Sequence, residues 1–156
     1  MNLEPYEKYY ALLEEKSRNL KDKLNIAGTI VAIDPIGETD LQIRHTQADK
    51  VNIFVYSFRL PCTYSFYNGM LNDYSLQKRM DNNIDEYRML ELITNNARVN
   101  YLSYKKVLIV SPRDFIYMKY SNSWENEYWD LSFSVPHEVY PSKVRGEIIL
   151  SACKIT

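Results

Sequence analysis

The apolar positions of this chain change their period once, near Gly28. Before it, Tyr6, Tyr9, Leu13, Leu20 and Leu24 recur at spacings of three, four and seven, and Ser17 fills the gap on the same face. Residues 4–24 therefore read as an amphipathic helix. Pro5 stands at its start, where a missing N–H costs least, and Glu14 lies one turn from Arg18. After Gly28 the period is two. Residues 29–34 and 41–46 are short β-branched runs flanking the turn sequence Asp34-Pro35-Ile36-Gly37. Residues 51–60 predict a longer strand, with Val51, Ile53 and Val55 on one face and Phe54, Tyr56, Phe58 and Leu60 on the other. A strand apolar on both faces is expected to be covered on both.

Pro61 stops that strand, and Thr63 is placed to cap a short helix running to about Asn72 with Tyr67, Met70 and Leu71. A further helical turn or two ends near Asp81. Five strand-like runs follow, at 85–94, 98–108, 113–120, 127–135 and 144–155. Turn clusters separate them: Thr94-Asn95-Asn96, Ser111-Pro112, Ser121-Asn122-Ser123, and Pro136 to Ser142. Spacings this short favour an antiparallel meander. The expectation is a single α+β domain over 1–156, with an N-terminal helix in 1–27 and the sheet and short helices in 28–156.

With 156 residues, the chain can bury one sizeable core. Aromatic content is 13%, carried by 14 Tyr, whose apolar ring and polar tip suit cavity walls as well as half-buried strands. Net charge is −1, so the cationic footprint needed to hold nucleic acid is missing. Lys105-Lys106 and Lys78-Arg79 are only pairs, short of a polybasic membrane anchor. The first turns carry Glu4, Glu7, Glu14 and Glu15 rather than a secretory apolar run, and no segment is long and apolar enough to span a bilayer. These features point to a cytoplasmic protein. Cys62 and Cys153 form no metal-ligand spacing and are expected as free, buried thiols.

Catalytic patterns do not assemble. His45 and His137 are the only histidines, no Gly-x-Ser-x-Gly elbow accompanies them, and both are expected near strand ends on the surface. Two His and two scattered Cys make no zinc pattern, and four Gly make no phosphate cradle. Glu125/Glu127 and Asp85/Glu86 read as solvated turn residues. The sequence makes no case for an enzyme, a metal or a cofactor.

The segment Val110-Ser111-Pro112-Arg113-Asp114-Phe115-Ile116-Tyr117-Met118-Lys119-Tyr120 resembles the characteristic motif of START (steroidogenic acute regulatory protein-related lipid-transfer) domains, an Arg-Asp-aromatic triplet opening a strand after a turn. Leu60 to Asp81 resembles the family's strand–helix–helix passage, with Arg79-Met80-Asp81 where members usually carry Trp-Asp. Tyr101-Leu102-Ser103-Tyr104-Lys105 is similar to the strand before the triplet. Ser134-Val135-Pro136-His137, Pro141 and Val144-Arg145-Gly146-Glu147-Ile148 are similar to the hairpin after it. The four segments fall in the family's order.

This resemblance implies a helix-grip fold, a curved antiparallel sheet around a cavity that holds one lipid without covalent chemistry. It implies cavity-wall roles for Leu102, Tyr104, Phe115, Tyr117 and Phe133, for which ordinary core packing is the competing reading. Members commonly place a basic residue at the Lys119 position, paired with an acid at the position of Asn100. Because Asn100 is not acidic, a buried Lys119 needs another partner or a path to solvent. Lys119 and Asn100 are thereby the implied headgroup contacts. Arg113, Asp114 and Asp81 have structural roles, the charged pair at the strand start locking the preceding turn. Phosphatidylcholine-binding members carry Arg at the position of Gln77, so the lipid is left as a sterol or a phospholipid. Transient membrane contact is implied as well. The last run reads as an eighth strand, so the family's final strand and C-terminal lid helix are expected to be absent from the chain. An apolar groove left open would call for a partner chain or a dimer, and the second functional reading is an interaction protein whose concave face docks a helix.

Overall fold

The computed structural model describes residues 7, 9, 11–16, 29–34, 41–48, 51–57, 59–124, 127–138 and 143–155. The chain divides into two compact units, Leu13–Thr63 and Tyr64–Thr156 together with Met1–Leu12. Residues 11–16 are helical, as are Glu7 and Tyr9, and Tyr9 and Leu13 of the predicted apolar stripe are both buried. The remainder of the helix expected over 4–24, with Tyr6, Ser17, Arg18, Leu20 and Leu24, lies outside the described residues.

Strands β1 (Thr29–Asp34), β2 (Leu41–Ala48) and β3 (Val51–Ser57) form an antiparallel sheet in that order. Asp34 pairs with Leu41 at one end of the β1–β2 ladder. The turn expected at Pro35–Gly37 lies outside the described residues. β3 spans Val51–Ser57, with Ser57 paired to Gln42 at the end of the ladder, and Phe58 of the run expected to 60 lies outside the described residues. The expected cover on both faces of β3 is not met: Phe54 and Tyr56 are 53% and 57% exposed. Phe54 instead stacks on His45, with ring centroids 4.7 Å apart. His45 is therefore a half-buried residue within β2, not the strand-end surface residue expected.

The second unit opens with α1 (Tyr64–Asn72) and α2 (Tyr74–Met80), close to the two short helices expected. Asp73 caps α2, its carboxylate accepting from the Leu76 N–H at 2.9 Å and the Ser75 hydroxyl at 2.7 Å. The Gln77 side-chain amide donates to the Met70 carbonyl at 3.0 Å and ties the helices together. Asp81 ends α2 in extended conformation, and its carboxylate accepts from the Asn83 N–H at 2.9 Å, turning the chain into the sheet.

Strands β4 (Ile84–Thr94), β5 (Ala97–Tyr104), β6 (Arg113–Trp124), β7 (Glu127–Ser134) and β9 (Ser151–Ile155) lie side by side, each antiparallel to the next. This is the expected α+β antiparallel architecture. Three details differ from the sequence reading. β5 stops at Tyr104, because Val107 and Val110 bond to each other across a tight turn. Ser121, Asn122 and Ser123 continue β6 instead of turning, held by the Ser121 hydroxyl on Asp130 and by Asn122 Nδ2 on the Tyr120 hydroxyl at 2.9 Å. The run 144–155 is two strands, not one. β8 (Val144–Arg145) pairs parallel with the start of β6, and β9 pairs with β7. Among the described residues nine strands are thus present, one more than the eight expected.

Between β8 and β9, Gly146 and Ile148 account for the break. A Cβ on Gly146 would lie 2.3 Å from Phe115 Cε1, so only glycine lets the backbone pass that ring. Ile148 and Ser134 then exchange bonds of 2.8 Å, which hands the chain from β6 to β7.

The pleat separates two faces. Val99, Tyr101, Ile116, Met118, Leu131 and Phe133 share one and are almost fully buried. Burying such side chains contributes about 1.5–3 kcal/mol each, so this face is the core of the unit. The opposite face carries α1 and α2.

Candidate functional site

On the helix-bearing face, alternation brings Arg98, Asn100, Leu102 and Tyr104 of β5 together. Opposite them stand Lys119, Tyr117, Phe115 and Arg113 of β6, in that register. Six of the residues expected at a lipid site therefore converge: Asn100, Leu102, Tyr104, Phe115, Tyr117 and Lys119. Phe133 does not join them. It pairs with Met118 across the ladder, so its side chain belongs to the core face, where it is fully buried. The period of two puts it there, on the face opposite the other six.

The apolar end of this face is aromatic. Tyr104 and Phe115 meet edge to face with centroids 6.1 Å apart, and Phe115 closes over Gly146. In the middle, the Tyr117 hydroxyl donates to the Tyr87 hydroxyl at 2.8 Å, and the Tyr74 hydroxyl donates to Asn100 Oδ1 at 3.0 Å. Tyr74 and Tyr87 form a T-shaped pair at 4.6 Å. Burial pushes the phenols of Tyr117, Tyr87 and Tyr74 up, which keeps them neutral and able to donate. Asn100 is thus held by α2 and is not the partner of Lys119.

Lys119 is 7% exposed, and its ammonium donates to Asn72 Oδ1 of α1 at 3.0 Å. Arg98, its cross-strand neighbour, donates to the same Asn72 oxygen. Asn72 in turn donates to Asn68 Oδ1 at 2.9 Å. Burial lowers the Lys119 pKa, the nearby Asp130 carboxylate opposes that shift, and Arg98 adds to it. Asp130 accepts from Ser121 through one oxygen, and its other oxygen is buried without a partner. Arg98 Nε and Asn100 Nδ2 are likewise buried and unpartnered. Three such atoms around one cluster are notable, since buried polar groups are nearly always hydrogen-bonded.

Beside this cluster lies a pocket of about 280 Å³, between α1, the β4–β5 turn and the end of β6. Asn72, Arg98, Lys119, Ser121 and the stacked pair Tyr64 and Tyr128, 3.7 Å between centroids, are on its wall. Sequence reasoning missed Arg98 and Asn72. Counting back by two from Asn100 places Arg98 on the right face, but nothing in the pattern signals which turn of α1 reaches the sheet.

The structural motif divides its work differently from the expected locked pair. Arg113 does hold the preceding turn, donating to the Ser111 carbonyl at 3.2 Å. Asp114 points to the core face, is fully buried, and pairs with Arg145 of β8 at 2.7 Å. The Tyr101 hydroxyl also reaches Asp114, at 3.4 Å. Cys62 is exposed, contrary to expectation, because it sits in the bend after Pro61. Cys153 is half-buried, 3.9 Å from the Tyr67 hydroxyl, and burial pushes its thiol pKa up.

A helix-flanked antiparallel sheet is the arrangement expected of a START-like fold. The START domain family model matches residues 38–156, and the chain belongs to that family. Human StAR-related lipid transfer protein 5 is similar in structure, with a TM-score of 0.75 at 17% identity over 93% of this chain and 73% of that one. The human StarD13 (DLC2) lipid transfer and protein localization domain gives 0.65 at 16% identity, over 92% of this chain and 77% of its own. Human STARD10 gives 0.67 at 19%, over 86% and 57%. At these identities the likeness establishes the fold. A search of curated protein sequences finds no match. Among the described residues, no helix is long and apolar enough to cross a membrane.

Proposed function

We propose that the chain, as a single domain over 1–156, is a non-catalytic lipid-binding and lipid-transfer module. Its lipid rests on the helix-bearing face, with tails toward Leu102, Tyr104, Phe115 and Tyr117 and the polar end toward Lys119 and Asn100. The observation that carries this reading is the convergence of those six residues on one face of a START-family sheet. Tails gain about 0.8 kcal/mol per buried CH₂, so an aromatic-lined face supplies affinity while a few polar groups set orientation.

A transfer module must touch a membrane, and the turn between β5 and β6 is suited to it. Leu108 and Ile109 stand 88% and 97% exposed at its tip, just after Lys105 and Lys106. Leu108 holds φ at 52°, a left-handed conformation that costs an L-residue about 1–2 kcal/mol and that glycine adopts freely. Keeping leucine there favours an apolar tip over an easy turn, as insertion between lipid headgroups requires. The paired lysines match the anionic cytoplasmic leaflet.

Native mass spectrometry of the purified chain tests the binding: one lipid per chain is expected, and an empty, stably dimeric protein would sink the reading. Vesicle flotation tests the contact. Replacing Leu108 and Ile109 together by Asp is expected to weaken vesicle binding at least tenfold, since burying each side chain is worth about 1.5–3 kcal/mol. Unchanged flotation would remove the turn from the membrane-contacting surface.

A further inference from the structure

Arg98 and Lys119 are direct partners across the β5–β6 ladder. Like charges placed opposite each other destabilise a sheet, and here Lys119 is buried and Arg98 half-buried, which weakens the screening of the pair by water. Their shared acceptor is a single neutral oxygen, Asn72 Oδ1. Asp130 offsets part of the charge, yet it is not on the pocket wall; among the described residues, no carboxylate lines that pocket. Arg98 Nε meanwhile has no acceptor at all. The pocket beside them, at about 280 Å³, is below the roughly 300–1,000 Å³ of sites that enclose whole ligands and is of headgroup size.

From these observations we infer that the pocket walled by Arg98, Lys119 and Asn72 is an anion site that selects an anionic phospholipid headgroup, its phosphate bridging the two cations. The inference rests on the lipid-binding reading above and specifies the lipid class. A phosphate oxygen would accept from the unpartnered Arg98 Nε and from the Lys119 ammonium, charge-assisted bonds stronger than those Asn72 makes. Sterols offer no such acceptor. Phosphatidylcholine carries the same phosphate with a trimethylammonium group, which Arg98 and Lys119 repel.

The test titrates the full chain with water-soluble dihexanoyl phosphatidic acid, dihexanoyl phosphatidylcholine and inorganic phosphate, by calorimetry at two salt concentrations. Phosphatidic acid is expected to bind at least tenfold tighter than phosphatidylcholine, and Arg98→Gln is expected to erase that preference. Arg98→Lys, which keeps the charge, should retain most of it, and near-ultraviolet circular dichroism verifies that both variants are folded. Inorganic phosphate binding as tightly as phosphatidic acid, and in competition with it, would support the anion site but make a free anion its ligand. Equal affinity for the two lipids, or a preference that survives Arg98→Gln, would overturn the headgroup assignment while leaving lipid binding intact. Absence of binding by both lipids and by phosphate would overturn both proposals.

Discussion

At the scale of single residues, Gly146 shows how little room the aromatic end of the face allows. The ring of Phe115 occupies the space where a Cβ would go, with Cε1, Cζ and Cδ1 all under 3.0 Å from it. Gly146→Ala must therefore move Phe115 or the backbone at residue 146, whose N–H donates to the Asp114 carbonyl at 2.7 Å. Overpacking of this kind costs about 1–3 kcal/mol, against a gain of under about 1 kcal/mol from restricting the unfolded chain. Urea denaturation is expected to show net destabilisation of about 1–2 kcal/mol by this balance. The double variant Gly146→Ala with Phe115→Leu should recover part of it, because leucine withdraws the clashing ring atoms. A Gly146→Ala protein as stable as the parent would mean that Phe115 is free to swing away. The Arg-Asp-Phe motif made Phe115 legible as a candidate site residue, but its glycine neighbour was not, since no local pattern links positions 31 apart.

At the scale of elements, the two-residue strand β8 depends on one ion pair. Its ladder with β6 has only the pairs Arg113↔Val144 and Asp114↔Arg145. The Arg145 guanidinium lies 2.7 Å from a carboxylate that is fully buried. Arg145→Met removes that cation and is expected to cost about 2 kcal/mol, less than the about 3–5 kcal/mol of a fully buried pair because Arg145 is itself 32% exposed. Hydrogen exchange is the sharper readout: the Gly146 N–H, bonded to the Asp114 carbonyl, should lose protection while the β5–β6 amides keep theirs. Uniform loss across β4–β9 would mean the pair supports the whole sheet instead. Elements with a long period-two run, such as β4 and β7, were readable within a residue or two. The division of 144–155 into β8 and β9 was not, because alternation records which side is buried and is silent when the chain changes its pairing partner. The extension of β6 through Ser121-Asn122-Ser123 was hidden for the opposite reason. Those residues favour turns locally, and pairing with β7, with Ser121 bonded across the ladder to Asp130, overrides that preference.

At the scale of the whole molecule, the helix-bearing face sets stability against binding. Sequence alone reached the α+β class and six members of the face, because the motif around Arg113, Asp114 and Phe115 orders four separated segments and strand alternation does the rest. What it could not reach was the electrostatics, which depends on Asn72 and Asp130 arriving from α1 and β7. Lys119 is buried beside Arg98 and has its pKa lowered by that burial, so its charged form is held less comfortably in the folded chain than in the unfolded one. Unfolding then takes up protons between the depressed folded value and the ordinary 10.5, and by linkage stability must rise with pH across that window. The buried phenols act with the other sign. With pKa values raised above the ordinary 10.0, Tyr117, Tyr87 and Tyr74 make stability fall as pH climbs past that value. The lipid-free protein should therefore gain stability as pH rises toward about 10 and lose it beyond, by the sum of these terms. Lys119→Met removes the first limb only. It is expected to raise the stability of the lipid-free protein at pH 7 by about 1 kcal/mol, as apolar replacements of buried charges commonly do. It should also flatten the rise with pH while leaving the loss above it. In exchange it should give up the stabilisation by ligand, which for a site filled at one hundred times its Kd amounts to about 2.7 kcal/mol. Thermal melts of both proteins at pH 7 and 9, with and without dihexanoyl phosphatidic acid, measure all of these quantities. A Lys119→Met protein that melts lower than the parent without ligand would show that Asn72 and Asp130 already compensate the charge, and the cluster would then be architecture rather than a site held ready for an anion.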